Sequence, residues 1–221
     1  MNMPINLWLV RHARPLVAEG VCYGALDVDA DAAGSAHAAT RLAAVVPSGA
    51  GLVVSGLRRA GRLAEDLVRL RPDLRLRTDT RLNEMDFGRW EGWPWARIPR
   101  EALQAWSADF PGHRFGGRES AQQVIGRVAA ALADTCHIAC RAAGSANAPG
   151  DVVWITHAGV IRAATHLIDC PGKPLESASQ WPSEAPAWGE WWVVQVAVSA
   201  AGAAGRGPRR LRQGRILFSQ C

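Results

Sequence analysis

The sequence lacks the features that mark membrane and secreted proteins. No run of apolar residues reaches the roughly 18 that a membrane-spanning helix needs. The first residues carry no basic flank and only a short apolar run, unlike a signal peptide. The five cysteines are an odd number, in a chain whose 48% apolar content can build a core without disulfides. We therefore expect a cytoplasmic protein with no membrane partner.

Motifs for common cofactors and catalytic devices are also missing. No Gly-x-Gly-x-x-Gly follows the first apolar stretch, and no glycine-rich phosphate loop contains a lysine. Neither His-Glu-x-x-His nor Gly-x-Ser-x-Gly occurs. Cys136, His137 and Cys140 resemble a fragment of a metal site, but further ligands at a suitable spacing do not accompany them. The sequence predicts neither a bound metal nor a dinucleotide cofactor.

Lysine is nearly absent, since Lys173 is the only one among 25 basic residues. Arginine binds phosphate and carboxylate groups with two parallel hydrogen bonds, so this composition is compatible with an anionic substrate. Residues 206–215 are rich in arginine but contain no aromatic side chain. Because surfaces that bind nucleic acids combine the two, we expect no nucleic-acid partner.

The first apolar stretch is the feature around which the chain is organised. Residues 5–10 are apolar except for Asn6 and run directly into Arg11 and His12, before Pro15 ends the regular structure. A near-continuous apolar run predicts a strand that is buried on both faces. In open α/β sheets, ligands bind at the carboxyl ends of such strands. His12 is therefore a candidate site residue.

Two later stretches repeat this arrangement. Residues 51–55 predict a strand that ends in the polar segment 56–59, before a helix over 60–71. Residues 151–156 predict another strand, which ends at His157 before a helix that reaches about residue 168. The carboxyl ends of parallel strands lie along one edge of a sheet, so two histidines and two arginines are expected to converge there.

The remaining pattern completes an α/β fold with a mostly parallel sheet. Further helices are predicted over 31–46, capped by Asp31, near 99–108 and over 119–141, and further strands over 74–78, 191–198 and 216–218. Residues 81–118 are irregular and contain four tryptophans, at 90, 93, 95 and 106. This insertion is either a lid or pocket wall, or a segment whose aromatic rings simply pack it onto the body of the protein.

Arginines around a histidine favour phosphoryl chemistry. Guanidinium groups neutralise phosphate oxygens through charge-assisted hydrogen bonds, and such preorganised charge stabilises the transition state. A neutral histidine can itself accept the phosphoryl group as a nucleophile, and neighbouring cations favour the neutral form.

Four motifs in order resemble those of the histidine phosphatase superfamily, whose fold is that of phosphoglycerate mutase. They are Arg11-His12-Ala13, the segment 55–60 (Ser-Gly-Leu-Arg-Arg-Ala), the segment 82–92 with Glu84, Gly88 and Glu91-Gly92, and the segment 156–162 with His157. The resemblance implies a three-layer α/β/α sandwich, and a single domain over residues 1–221 with an inserted Trp-rich cap at about 81–118.

The resemblance also implies the role of each site residue. His12 would accept the phosphoryl group, while Arg11, Arg59 and His157 would bind the phosphate. Glu84, which the residue pattern alone does not single out, would protonate the leaving oxygen. Hydrolysis of the phosphohistidine by water would complete the reaction without a metal or cofactor. Whether Arg58 or Arg59 contacts the phosphate is left open by the motif.

Two positions depart from the family pattern. Ala13 replaces the usual glycine after the histidine, which is tolerable where the backbone does not need a positive φ. Ala18 stands where many members have an asparagine that contacts phosphate. Arg14, from its proximity in sequence, is a candidate to supply that contact.

The substrate is expected to be a small phosphorylated metabolite. The region after Glu84 is aromatic rather than basic, unlike the mutase branch. Segments 21–24, 86–92 and 116–120 resemble bacterial α-ribazole phosphatases of cobalamin synthesis, which implies α-ribazole 5′-phosphate as substrate. We expect its flat benzimidazole ring to stack on Trp90, Trp93 or Trp95, and Tyr23 is a further candidate to bind the substrate. The alternatives are a broad-specificity phosphatase of the same fold, a phosphoglycerate mutase, and a non-catalytic phosphate-binding protein. The oligomeric state is not predicted.

Overall fold

The computed structural model describes residues 3–142 and 150–198. Their centre is a five-stranded sheet made of β1 (Met3–Arg11), β2 (Gly51–Val54), β3 (Arg75–Thr78), β4 (Gly150–Thr156) and β5 (Trp191–Val198). The helices of the described residues are α1 (Ala32–Val45), α2 (Arg58–Leu70), α3 (Arg100–Ala108), α4 (Ala121–Ala142) and α5 (Ala158–Asp169). Within these ranges, every helix is too short or too polar to traverse a lipid bilayer.

The sheet is mostly parallel, as the sequence predicts. The strand order is β3-β2-β4-β1-β5; the first four strands are mutually parallel and β5 runs antiparallel to β1. Because β4 is inserted between β1 and β2, the carboxyl ends of these three strands are direct neighbours. The strand predicted over 216–218 lies outside the described residues, as do the arginines of 206–215.

The alternating side chains of β1 enter two different cores. Leu7 and Leu9 pack with α4 and α5, whereas Trp8 and Val10 pack with α1 and α2 on the opposite face. Each buried aliphatic side chain of this kind stabilises the fold by about 1.5–3 kcal/mol. The apolar run is therefore continuous because helices cover both faces of the strand, and this three-layer arrangement fixes the position of His12.

The helices that flank the site begin close to their predicted positions. Asp31 caps α1 by accepting a hydrogen bond from the backbone N–H of Gly34 at 2.6 Å, as expected. Helix α2 begins at Arg58, two residues earlier than predicted, because the carbonyl of Leu57 already accepts two N–H groups of the first turn. This earlier start places Arg59 inside the first turn of the helix.

The segment 81–118 contains α3 and short 3-10 helices at Gly88–Trp90 and Trp95–Arg97, and another 3-10 helix, Thr80–Leu82, overlaps its start. Its aromatic rings pack mainly on one another: Trp106 stacks on the buried Phe115 with centroids 4.4 Å apart, and Trp95 stacks on Phe115 at 5.9 Å. The same cluster covers the buried Cys22. These contacts account for the packing of the insertion, and a lid over the site stays a prediction.

Candidate active site

Three strand ends bring the predicted site residues together. His12 follows β1, Ser55 follows β2 and His157 follows β4. The backbone N–H of His12 donates to the carbonyl of Thr156 at 3.0 Å, so the two histidine-bearing ends are joined directly. The rings of His12 and His157 lie with their centroids 5.0 Å apart.

The hydrogen bond of His12 determines which ring nitrogen is free. Its Nδ1 lies 2.6 Å from the carbonyl oxygen of Ala13, and a carbonyl can only accept, so Nδ1 carries the proton. Burial, then the charge of Arg59 and less that of Arg11, lowers the pKa of His12 to about 3. The ring is therefore neutral near pH 7, and Nε2 presents a lone pair.

His157 is fully buried and connected on both sides. Nε of Arg59 donates to its Nδ1 at 3.2 Å, and its Nε2 therefore donates to Oγ of Ser55 at 2.7 Å. The Ser55 hydroxyl in turn donates to the side-chain oxygen of Asn83 at 3.0 Å. Burial, with the charges of His12 and Arg59, holds the pKa of His157 well below its usual value.

Arg58 and Arg59 point in different directions, and a phosphate contact by either of them stays a prediction. Arg59 is fully buried beside His157. The Arg58 side chain is 59% exposed and pairs with Asp27 and Asp29, at 3.3 Å each. Successive side chains on a helix diverge by about 100°, so only one of the two can face the strand ends.

Arg11 and Arg14 both make cation–π contacts with Trp188. Their guanidinium carbons lie 5.3 and 5.7 Å from the ring centroid of Trp188, which is 44% exposed. Nη1 of Arg11 donates to the carbonyl of Pro186 at 3.1 Å, and its buried Nε has no protein partner. The exposed Arg14 side chain makes no hydrogen bond or ion pair with the residues that the structure describes. Both cations are thus available to an anion.

Glu84 is held at the start of α5, near Arg11 and Arg59. Its Oε2 accepts from the N–H of Gly159 and its Oε1 from that of Met85, both at 3.0 Å. A Cβ at position 159 would lie 2.3 Å from Oε1 of Glu84, so the carboxylate occupies space that only glycine leaves open. Burial lowers the pKa of Arg11 and of Arg59, and the negative charge of Glu84 partly opposes that shift.

Tyr23 lies at the site, whereas Trp90 lies in the aromatic cluster. The guanidinium of Arg59 stacks over the Tyr23 ring at 5.4 Å, and the Tyr23 oxygen accepts a hydrogen bond from Arg11, which favours the charged form of Arg11. The ring of Trp90 packs on Trp93 at 5.6 Å and on Phe115 at 6.1 Å. A role for Trp90 in substrate binding stays a prediction.

An open groove of about 610 Å³ starts at Arg14 and continues along residues 15–18 and Asp31. Ala18 is exposed in this groove. The carboxylate of Asp31 caps α1 and makes no ion pair with Arg14.

Sequence reasoning missed several groups at this edge of the sheet. Arg162 donates to the carbonyl of Ser183 at 2.9 Å, and its charge contributes to lowering the pKa of Arg11. Its place in the motif 156–162, five residues after His157, was the available signal. Trp188 lies in a proline-rich loop, where no sequence pattern indicates its contact with Arg11.

Among residues 3–142 and 150–198, no three side chains of the metal-ligating types are grouped as a metal site requires. The fragment at Cys136 and Cys140 lies where side chains are not described.

Comparisons with known proteins agree with this geometry. The model of the histidine phosphatase superfamily (branch 1) matches residues 7–190. Comparison with curated proteins gives no match. Among solved structures, mycobacterial glucosyl-3-phosphoglycerate phosphatase is 25% identical over 87% of this chain and 91% of its own, with a TM-score of 0.73.

Two other solved structures are similar. The protein TTHB049 from Thermus thermophilus is 29% identical over 86% of this chain and 93% of its own, with a TM-score of 0.60. An Escherichia coli K-12 protein, provisionally described as an α-ribazole-5′-P phosphatase, is 22% identical over 95% of this chain and 96% of its own, with a TM-score of 0.68. At that identity the last likeness concerns the fold alone, and together the matches confirm the expected phosphoglycerate mutase-like fold.

Proposed function

The chain belongs to branch 1 of the histidine phosphatase superfamily, and we propose that it hydrolyses phosphate monoesters of small metabolites through a covalent phosphohistidine at His12. The observation that carries this proposal is the hydrogen bond from Nδ1 of His12 to the carbonyl of Ala13. It directs the lone pair of a neutral ring to Nε2, in a site that holds Arg11, Arg59 and His157.

In the first step, Nε2 of His12 attacks phosphorus and the bond to the ester oxygen breaks. Glu84, which takes up a proton when the phosphate ester binds, donates that proton to the leaving oxygen, so the alcohol leaves uncharged. The equatorial oxygens accept hydrogen bonds from Arg11 and Arg59, whose positive charges stabilise the charge of the transition state. The neutral His157, whose two ring nitrogens bond to Arg59 and Ser55, orients Arg59 beside the phosphoryl group. The product of this step is His12 phosphorylated on Nε2, with the proton on Nδ1 still bonded to Ala13.

In the second step, water attacks the phosphorus of the phosphohistidine. The carboxylate left on Glu84 takes a proton from this water, and the P–N bond breaks. Inorganic phosphate leaves, His12 returns to its neutral form, and Glu84 is protonated again.

We propose that the reaction needs no metal ion. Arginine side chains at the strand ends supply the positive charge that a divalent cation supplies in many other phosphatases. Arg11 and Arg14 form no ion pair among the described residues, which keeps their charge available to the substrate.

Two compounds are the first candidates for the physiological substrate. The motifs at segments 21–24 and 116–120 favour α-ribazole 5′-phosphate. Glucosyl-3-phosphoglycerate is a second candidate, because a phosphatase of that compound is 25% identical with a TM-score of 0.73. In either case we place the leaving group between Trp188, Tyr23 and the groove that begins at Arg14. A broad-specificity phosphatase remains the alternative.

We also propose a domain organisation and a cellular location. We treat residues 1–221 as one histidine phosphatase domain with an insertion at about 81–118, acting in the cytoplasm on a diffusible metabolite.

A panel of phosphate monoesters tests the proposal. The wild type should release phosphate from at least one member at a rate that excess chelator does not change, and His12→Ala should reduce that rate by about 10⁴-fold or more. His37→Ala, which changes an exposed histidine on α1, should have no effect. Loss of activity with chelator would contradict the metal-free reaction. A rate that depends on added bisphosphoglycerate would indicate a mutase instead.

A further inference from the structure

Glu91 belongs to one of the motifs that resemble the family, yet no step of the proposed reaction uses it. Its carboxylate accepts four backbone N–H groups. Oε2 accepts from Gly24 at 2.8 Å and from Leu26 at 3.0 Å. Oε1 accepts from Ala25 and from Phe87, both at 2.9 Å. The side chain therefore fixes the backbone of the segment 24–26.

The other side of the same segment holds Arg59. The carbonyl of Gly24 accepts from its Nη2 at 2.6 Å, and that of Leu26 accepts from its Nη1 at 2.9 Å. The third contact of the guanidinium is the bond from Nε to His157. The N–H groups of the segment thus bind Glu91, while its carbonyls bind a phosphate-binding arginine.

The fit between these groups is close. A Cβ at Gly24 would lie 1.9 Å from the carbonyl oxygen of Met85 and 3.0 Å from Oε1 of Glu91. The conformation in which the segment reaches both Glu91 and Arg59 therefore requires glycine at position 24.

A separate set of backbone hydrogen bonds joins the two chain segments. Gly92 donates to Cys22 at 2.8 Å, and Cys22 donates to Trp93 at 2.7 Å. Because these bonds do not involve the carboxylate, a change at Glu91 should disturb the segment 24–26 more than the fold.

We propose that Glu91 is a positioning residue of this enzyme: by fixing the segment 24–26, it orients the guanidinium of Arg59 and thereby sets the affinity of the site for phosphate. The proposal rests on the proposed function only in taking Arg59 as a phosphate ligand. It explains why the motif contains an acid seven residues after Glu84 that faces backbone N–H groups.

The variant Glu91→Gln provides a shape-matched test. Glutamine has one carbonyl oxygen and one NH₂ group, so two of the four backbone N–H groups would face a donor. Isothermal titration with inorganic phosphate should show a dissociation constant raised about tenfold or more, as expected when a charged acceptor of four N–H groups is lost. Glu19→Gln, which removes an exposed carboxylate of the neighbouring loop, should leave the constant unchanged.

A double-mutant cycle separates positioning from general destabilisation. In the Arg59→Ala background, the further change Glu91→Gln should have no effect on phosphate binding, because its effect passes through Arg59. Glu91→Asp, one methylene shorter but still charged, is measured alongside. If the glutamine variant does not fold, the aspartate variant should still raise the constant at least about threefold.

The pH profile gives an independent readout. The groups that face His12 are Arg11, Arg59 and His157, with Glu84 next to both arginines. A displaced Arg59 would relieve His12 of a neighbouring charge, so the acid limb of kcat/KM should move to higher pH in Glu91→Gln. A variant that merely populated less folded protein would lower kcat without moving this limb.

Unchanged phosphate affinity in a folded glutamine variant, or equal losses in both backgrounds of the cycle, would overturn the proposal. Phosphate binding is measured without turnover. A wild type that binds phosphate but forms no phosphohistidine would therefore refute the proposed function. The role of Glu91 would still be decided by the phosphate affinities of its variants.

Discussion

At the scale of single residues, the site depends on where a few protons and charges are held. His12 donates a hydrogen bond from its Nδ1–H to a backbone carbonyl, and His157 donates one from its Nε2–H to Ser55. In each ring the hydrogen bond identifies the nitrogen that carries the proton. Arg59 donates to the unprotonated nitrogen of His157. The two histidines are alike in burial but are arranged for different tasks.

The adjacent arginines Arg58 and Arg59 form a matched pair for mutation. Arg59→Ala should lower kcat/KM by about 10²–10³-fold, because a buried donor to the transferring phosphoryl group is lost. Arg58→Ala should change kcat/KM by less than about twofold, since its exposed ion pairs with Asp27 and Asp29 contribute little. Steady-state kinetics with one phosphate monoester measures both, and similar losses in the two variants would contradict the assignment of Arg59.

At the scale of elements, the strands were easier to predict from the sequence than the contacts between loops. The runs ending at Arg11, Val54 and Thr156 have the apolar character of strands covered on both faces, so β1, β2 and β4 could be read directly. The antiparallel direction of β5 depends on the course of the chain after α5, which local pattern does not encode.

Local sequence patterns do not predict contacts between loops that are far apart in the chain. Trp188 meets Arg11 only because residues 183–189 cross the end of β1, where the N–H of Gly189 binds the carbonyl of His12. Glu91 likewise meets Gly24 across 67 positions of sequence. Patterns of three to seven residues carry no information on such pairings, whereas the family motifs did mark Glu84.

The first turn of α5 offers a test of the acid. Gly159→Ala would push a methyl group against Glu84, displacing the carboxylate. Turnover of an alkyl phosphate, whose leaving oxygen needs a proton, should fall about 10²-fold, while p-nitrophenyl phosphate should be affected much less. Gly126→Ala in α4, where a Cβ meets nothing within 4 Å, is the control and should keep full activity. Equal losses on both substrates would argue against Glu84 as the proton donor.

At the scale of the whole molecule, the buried histidines link stability to pH. The pKa of His12 is lowered to about 3 and that of His157 is also well below its usual value near 6.5. The unfolded chain therefore takes up protons first as the pH falls below about 6.5, whereas the folded protein does not. Their contribution to stability is complete above that pH and is lost as the pH falls towards the folded-state values.

Urea unfolding between pH 7.5 and 5 measures this linkage. Below pH 6.5 the free energy of unfolding should fall by about 1.4 kcal/mol per pH unit for each of the two histidines. His12→Gln should remove about half of that slope. A free energy that is independent of pH over this range would show that the two rings are not held neutral.

The central claim is that His12 carries the phosphoryl group, and one measurement addresses it most directly. Enzyme quenched during turnover should be digested and examined by mass spectrometry under alkaline conditions, in which phosphohistidine survives. We predict a phosphate on the peptide that contains His12, lost on brief acid treatment and absent from His12→Ala. A wild type that turns over substrate without this label, or a label that persists in His12→Ala, would contradict the account.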